Sequence, residues 1–196
     1  MEKHGKPTKI ISPVKLAHVV LRTRPEMFKQ MVDFYKTFLG ADASYENDTL
    51  SFLTYDDEHH RIALAAVPGL GPKDAQTSGL EHIAFTFASI HDLLGAYTQR
   101  KQLGVCPIWC VNHGPTLSIY YRDPDGNTIE TQVDCFDSAE AATAQMRSDE
   151  FNENPIGVDF DPEDLIVRLE KGESVEEVLL RPRIGKRDLT SVPLMA

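Results

Sequence analysis

The chain has 196 residues, 30 of them acidic and 20 basic, so its formal net charge at pH 7 is −10. Half of the acidic residues but only seven of the basic ones lie beyond position 133, which leaves a net charge of −2 on the first 133 residues. This balance argues against a nucleic-acid-binding surface. No apolar stretch approaches the length of a membrane-spanning helix and no signal-like segment opens the chain, so we expect a cytoplasmic protein.

The three cysteines do not form a pattern of paired spacings, and free thiols are expected. Cys106 and Cys110 could bind a soft metal ion in principle, but no second pair follows them. The cysteines therefore do not predict a metal centre.

The first half of the chain reads as a polar arm, a strand and a helix. The arm covers residues 1–13. Residues 14–23 are an apolar run of strand type with His18 near its middle. A helix is predicted over residues 25–39, because apolar side chains recur near helical spacing and Gly40 can end it in a left-handed conformation.

A short strand and a hairpin follow this helix. The hairpin pairs residues 50–55 with residues 61–67, and His59 and His60 lie at the end of its turn. Two adjacent histidines among acidic residues would ordinarily be solvated turn residues. Residues 69–78 are rich in glycine and proline and are predicted to be a linker.

The second half repeats this order of elements. Residues 80–88 read as a strand with His82 near its middle, and residues 90–103 read as a helix. A strand at residues 105–111 then leads into a turn that contains His113.

Residues 116–133 read as two antiparallel strands joined by a tight turn. Glu130 projects from the interior of the returning strand. A lone strand glutamate usually faces solvent, since acidic side chains are seldom buried unpaired. The two histidines upstream, each inside a strand of its own, make a functional role the better interpretation.

The two halves align as a tandem duplication, at an offset of 64 residues that becomes 67 beyond the middle of each half. The corresponding positions are His18 and His82, Gly40 and Gly104, residues 49–52 and 116–119, and Ala63 and Glu130. Each half therefore reads as a βαβββ module, residues 14–68 and residues 79–134, in a fold of the α+β class.

This arrangement resembles the vicinal oxygen chelate superfamily, which includes glyoxalase I, antibiotic-resistance proteins and the type I extradiol dioxygenases. The resemblance covers roughly residues 14–134. It implies that the modules form a cupped mixed β-sheet around a metal site. The implied ligands are His18 and His82, from the first strands of the modules, and Glu130, from the last strand.

Among these families, the chain most resembles a small two-module extradiol dioxygenase. Glyoxalase-type lyases typically use a fourth ligand, and Ala63 occupies that position here. Two imidazoles and one carboxylate are the facial triad of non-haem Fe(II) oxygenases. The resemblance therefore implies Fe(II), with Mn(II) as the less favoured ion, and a catechol-type diol and dioxygen as substrates, the diol with or without an aryl substituent.

Three further residues match catalytic positions of the extradiol dioxygenases. The segment HHRIALAA resembles their paired-histidine strand, which gives His60 the role of acid, base and dioxygen contact. The family also places a tyrosine ten residues before the glutamate ligand, where Tyr120 stands, although tyrosine is common in strands anyway. A family histidine near the substrate hydroxyls corresponds to His113, which precedes Tyr120 by seven residues, fewer than in the family pattern.

Two other functions remain open for this fold. A lyase or isomerase of the glyoxalase type would use a divalent metal with four protein ligands, and Ala63 argues against it. A non-catalytic, metal-free small-molecule-binding protein of the resistance type would not need His18, His82 and Glu130 together.

Beyond the modules, residues 135–196 are an acidic extension with helical patterns. Helices are predicted over residues 139–147 and residues 161–172, and a third begins at Ser174, where Glu177 completes a capping box. We interpret this extension as an accessory lid or as a contact in a homo-oligomer.

Overall fold

The computed structural model describes residues 10–74 and 76–193. The chain divides into two compact units, residues 1–71 and residues 72–196. Most of the predicted N-terminal arm lies outside the described residues. In the part of the chain that the structure describes, no helix combines the length and the apolar character needed to cross a membrane.

The first unit contains one helix on a four-stranded sheet. Its elements are β1 (Val19–Thr23), α1 (Phe28–Leu39), β2 (Asp42–Glu46), β3 (Leu50–Thr54) and β4 (Ile62–Ala66). The strand order is β1-β4-β3-β2, with β1 and β4 parallel and the other pairs antiparallel. Met31, Tyr35 and Phe38 of α1 are buried, and the helix ends at Gly40, whose φ of 61° is left-handed as predicted.

The second unit repeats this order and then extends it. Its repeated elements are β5 (His82–Thr86), α2 (Ile90–Gln102), β6 (Trp109–Asn112), β7 (Thr116–Arg122) and β8 (Thr128–Asp134). The strands run in the order β5-β8-β7-β6, and a short strand β9 (Val158–Asp159) joins the free edge of β6. The α+β class and the tandem βαβββ order are confirmed.

The strand register supports the predicted equivalence of Ala63 and Glu130. In the first unit, Ala63 lies opposite Val20 across the parallel β1–β4 pair. In the second unit, Glu130 lies opposite Ala84 across the parallel β5–β8 pair. Val20 and Ala84 each stand two residues after the predicted histidine ligand of their module, so the two positions are related by the duplication.

The alignment of residues 49–52 with residues 116–119 is wrong by one residue. Phe52 pairs with Ala63 across β3 and β4, whereas Tyr120 pairs with Glu130 across β7 and β8. Phe52 is therefore the counterpart of Tyr120. The alternation of strand residues does not fix the length of a turn, and the turn of the first hairpin is longer than that of the second.

The first strand is shorter than predicted, because β1 begins at Val19. The guanidinium of Arg61 donates hydrogen bonds to the carbonyl oxygens of Leu16 and Ala17, at 3.1 and 3.0 Å. A side chain thus satisfies the backbone groups that a longer ladder would have used. His18 lies directly before β1 as a result.

The C-terminal extension packs as a series of short elements within the second unit. They are α3 (Ala139–Met146), α4 (Asp149–Glu153), β9, α5 (Pro162–Glu170) and α6 (Val175–Leu179). Serine or aspartate side chains cap all four helices at their N-termini, and the predicted capping box of Ser174 and Glu177 is present. The sequence patterns predicted α3, α5 and α6 but neither α4 nor β9.

Candidate active site

A histidine and a glutamate meet on one face of the second sheet. β5 and β8 are parallel neighbours, with His82 opposite Thr128 and Ala84 opposite Glu130. Side chains two residues apart on a strand share a face, so His82 and Glu130 lie diagonally adjacent. The Nε2 atom of His82 is 3.0 Å from Oε2 of Glu130.

Burial and hydrogen bonding set the charge state of this pair. Burial of Glu130, which is 5% exposed, favours its neutral acid, but hydrogen bonds from His82, Ser118 and Tyr120 outweigh burial, and the pKa of Glu130 is lowered. The hydrogen bond to Glu130 raises the pKa of His82, although burial of the ring opposes this. The two side chains therefore form an ion pair at mildly acidic pH.

Tyr120 and His113 extend this arrangement along the sheet. Tyr120 lies opposite Glu130 on β7, and its ring stacks on Trp109 with the centroids 5.1 Å apart. The hydroxyl of Tyr120 is 2.9 Å from Nε2 of His113, and Nδ1 of His113 contacts the carbonyl oxygen of Ile156. Burial lowers the pKa of His113, and burial together with the Glu130 charge raises that of Tyr120, so both are neutral at pH 7.

The first unit has a cluster of three histidines at the end of its hairpin. The rings of His18 and His60 lie 4.3 Å apart between centroids, and His60 also stacks on Phe52 at 4.9 Å. His59 contacts His60 through their Nδ1 atoms. Loss of hydration, followed by the charges of His18 and His59, lowers the pKa of His60. His60 is therefore a neutral imidazole at pH 7.

The structure thus places the predicted site residues in two groups. His82, Glu130, Tyr120 and His113 are together in the second unit, while His18 is beside His60 in the first. Among the described residues, no three histidine, cysteine, aspartate or glutamate side chains are grouped so as to hold a metal ion. The three-ligand set remains a prediction.

Several residues that shape the site were not identified from the sequence. Ser118 stands two residues before Tyr120 and bonds Glu130, so strand alternation could have identified it. Trp109 could have been found by its place opposite Tyr120 in the next strand. The Ile156 carbonyl carried no signal, because every residue has one.

The donor atoms of the second unit suit a divalent cation. Nδ1 of His82 is buried and has no hydrogen-bond partner among the described residues. Glu130 offers a buried carboxylate beside that ring, and imidazole with carboxylate is a donor set that Fe(II) and Mn(II) accept.

The cysteines do not provide an alternative metal site. All three are free, as expected. Burial raises the pKa of Cys110 and of Cys135 to about 12, which disfavours the thiolate that a soft metal would need.

A cleft of about 640 Å³ adjoins His113 within the second unit. Its walls come from the ends of β7 and β8 and from the extension, and they include Ala142, Met146, Phe151 and Pro155. The cleft therefore offers a largely apolar surface next to one of the predicted catalytic residues.

Comparison with known proteins gives a consistent family. Residues 15–131 match the Glyoxalase/Bleomycin resistance protein/Dioxygenase superfamily. Biphenyl-2,3-diol 1,2-dioxygenase 2 of Rhodococcus globerulus is 43% identical over 84% of this chain and 86% of its own. Biphenyl-2,3-diol 1,2-dioxygenase 3 of the same organism is 44% identical over 76% of this chain and 78% of its own.

Solved structures of low sequence identity share the fold. A glyoxalase/bleomycin resistance protein/dioxygenase domain from Frankia sp. EAN1pec superposes with a TM-score of 0.52 at 22% identity, over 63% of this chain and 93% of that domain. Lactoylglutathione lyase from Agrobacterium tumefaciens gives a TM-score of 0.50 at 18% identity, over 62% of this chain and 94% of the lyase. Both likenesses bear on the fold alone.

The His82–Glu130 pair predicts a pH-dependent stability for protein freed of metal with a chelator. The raised pKa of His82 contributes stability below about pH 6.5 that is lost as the pH rises through the folded-state value. The lowered pKa of Glu130 contributes stability above about pH 4.3 that is lost as the pH falls through its folded-state value. The contribution is therefore largest between these limits.

Urea unfolding of the wild type and of Glu130→Gln at pH 5.5 and pH 9 measures this effect. The variant should be less stable by about 1 kcal/mol at pH 5.5, with a smaller loss at pH 9. Glu140→Gln, on the exposed side of α3, serves as the control and should show no such difference. An equal loss for Glu130→Gln at both pH values would contradict the ion pair.

Proposed function

We propose, from the premise that this chain belongs to the glyoxalase/bleomycin resistance protein/dioxygenase superfamily and is an extradiol dioxygenase, that its substrate is a catechol-type diol with an aryl substituent. Dioxygen is the second substrate. The observation that carries the proposal is the buried Glu130 carboxylate hydrogen-bonded to His82, beside Tyr120, in a chain of this family. The printed names of the two relatives supply the aryl group.

Extradiol dioxygenases depend on a metal ion, and we propose Fe(II) for this chain, with Mn(II) less favoured. His18, His82 and Glu130 would hold it. The unpartnered Nδ1 of His82 and the buried carboxylate of Glu130 fit such an ion. When bound, Fe(II) supplies the redox chemistry that links the diol to dioxygen. Ala63, small and buried at the position related to Glu130, leaves no fourth protein ligand there.

The side chains around the ligands supply proton transfer and orientation. His60 is neutral at pH 7, so its imidazole can accept a proton from a diol hydroxyl and later return it. Tyr120 and His113 form a hydrogen-bonded pair that can orient the diol oxygens. The diol itself is oxidised as dioxygen is reduced, and both oxygen atoms enter the ring-opened product, so no nicotinamide or flavin is required.

The cleft beside His113 supports an aryl-substituted substrate. It borders His113 on one side and is lined by Phe151 and Met146 on another. Aromatic and thioether side chains favour an apolar ring through burial and through contacts at the ring edge. We therefore assign the cleft to the aryl substituent, and the Tyr120 end of the site to the diol.

We also propose the cytoplasm as the location of the protein. Its three free cysteines support a reducing compartment. A homo-oligomeric state, with the extension as the contact, remains a prediction from the sequence.

Oxygen consumption tests the proposed reaction. Protein reconstituted with Fe(II) under anaerobic conditions should consume one equivalent of oxygen per diol and form a yellow ring-opened product from catechol and from biphenyl-2,3-diol. His60→Gln should keep the metal and bind the diol but lower kcat by about 10²- to 10⁴-fold, as expected for the loss of general acid–base catalysis.

His91→Gln is the matched control, since His91 is exposed at the start of α2 and belongs to neither histidine group. It should turn over like the wild type. The proposal is wrong if no catechol consumes oxygen. Conversion of methylglyoxal and glutathione would then indicate a lyase, and absence of both reactions and of metal would indicate a binding protein.

Filling the cleft tests the assignment of the aryl group. Ala142→Phe adds a ring within the cleft wall, so kcat/KM for biphenyl-2,3-diol should fall by about 10- to 200-fold, the range typical of steric exclusion from an apolar pocket. The value for unsubstituted catechol should change by less than about twofold. Steady-state oxygen uptake with both diols gives the comparison.

Ala144→Phe provides the control, because Ala144 lies on the same helix but is exposed and outside the cleft. It should affect neither substrate. Equal losses on both diols in Ala142→Phe would place the aryl group elsewhere.

A further inference from the structure

The C-terminal extension reaches the site through His113. β9 pairs with the strand that precedes His113, Val111 lying opposite Asp159 and Asn112 opposite Val158. The loop before β9 carries Ile156, whose carbonyl oxygen contacts Nδ1 of His113. A region outside the duplicated modules therefore bonds directly to a predicted catalytic side chain.

This contact determines which nitrogen of His113 carries the proton. A carbonyl oxygen can only accept a hydrogen bond, so Nδ1 of His113 must be the donor to Ile156. In a neutral imidazole the other nitrogen is then an acceptor. Nε2 must therefore receive its hydrogen bond from the hydroxyl of Tyr120, 2.9 Å away.

The direction matters because the Tyr120 hydroxyl has one proton and two possible acceptors. One is Nε2 of His113 and the other is the carboxylate of Glu130, which also bonds Tyr120. If Nε2 carried a proton, Tyr120 would accept from His113 and donate to Glu130. The Ile156 carbonyl excludes that pattern for a neutral ring, because it would leave an unprotonated Nδ1 facing a carbonyl oxygen.

The loop that presents Ile156 is tightly constrained. The side-chain oxygen of Asn154 accepts from the backbone N–H groups of Ile156 and Gly157, and its amide donates to the Gly157 carbonyl. Gly157 has a φ of +115°, and a β-carbon there would lie 2.3 Å from the carbonyl oxygen of Asn112. Only glycine allows this close approach of the two backbones.

Arg181 ties the two sides of the contact together. Its Nη1 donates to the carbonyl oxygens of His113 and Asn154, at 2.9 and 3.0 Å. Its side chain is 5% exposed and lies over the ring of Phe151, 5.8 Å from the centroid. A single buried guanidinium thus joins the backbone of His113 to the loop that holds Ile156.

We propose that the extension sets the hydrogen-bond direction of the site: the Ile156 carbonyl, held by Arg181 and Asn154, keeps His113 as the Nδ1–H tautomer, so that Tyr120 donates to His113 and presents its oxygen as an acceptor to the diol. Arg181 is a positioning residue that acts through His113. The part that concerns the diol rests on the proposed function, whereas the tautomer does not.

Nitrogen NMR of the histidine rings tests the tautomer without any turnover. In the full chain, labelled with ¹⁵N-histidine and free of paramagnetic metal, His113 should show a protonated Nδ1 and an unprotonated Nε2. Arg181→Met should shift His113 toward a mixture of tautomers, while Arg183→Met should not. Arg183 is a matched control because it pairs with Glu153 at an exposed position. A protonated Nε2 and bare Nδ1 in the wild type overturn the proposal even if no variant folds.

Kinetics of diol cleavage test whether Arg181 acts through His113. Arg181→Met should lower kcat about tenfold with little change in KM, and the same substitution in a His113→Ala background should cause no further loss, because coupled residues are not additive. An equal loss in both backgrounds means a merely structural role and overturns the proposal. If no diol is cleaved, the proposed function fails, and the NMR result alone decides on the tautomer.

Discussion

The parallel pairing of β5 and β8 is the constraint on which the rest of the site depends. It brings His82 within 3.0 Å of a glutamate that is 5% exposed. A carboxylate so buried requires compensation, which three hydrogen-bond donors provide. The same pairing in the first unit has Ala63 at the related position and needs no such compensation. One copy of the duplicated strand pair was thus specialised, and the other kept a small apolar residue.

Much of this could be predicted from the sequence because it depends on periodicity. Strand alternation and a repeat of 64 residues are properties of residue order, so the two modules and the relation of Ala63 to Glu130 could be inferred. Other features depend on contacts between distant segments. The early end of the β1 ladder results from the Arg61 guanidinium, and β9 exists only because β6 offers a free edge. Neither leaves a periodic signal, and the Ile156 carbonyl leaves none at all.

The extension also stabilises the aromatic side of the site. Asp159 accepts a hydrogen bond from the indole N–H of Trp109 and two from the Arg187 guanidinium, which lies over the Trp109 ring. Trp109 in turn stacks on Tyr120. Stacked and charge-assisted contacts of this kind fix ring orientation. The modules therefore supply the predicted ligands, while residues after 134 orient Tyr120 and His113.

Anaerobic Fe(II) titration of the purified chain, with the bound ion measured by elemental analysis, tests the central claim most directly. The account predicts one Fe(II) per wild-type chain and the loss of that ion in each of His18→Ala, His82→Ala and Glu130→Ala, because all three side chains are ligands. His91→Ala should bind as the wild type does. Unchanged iron content in His18→Ala or in His82→Ala would contradict the three-ligand site.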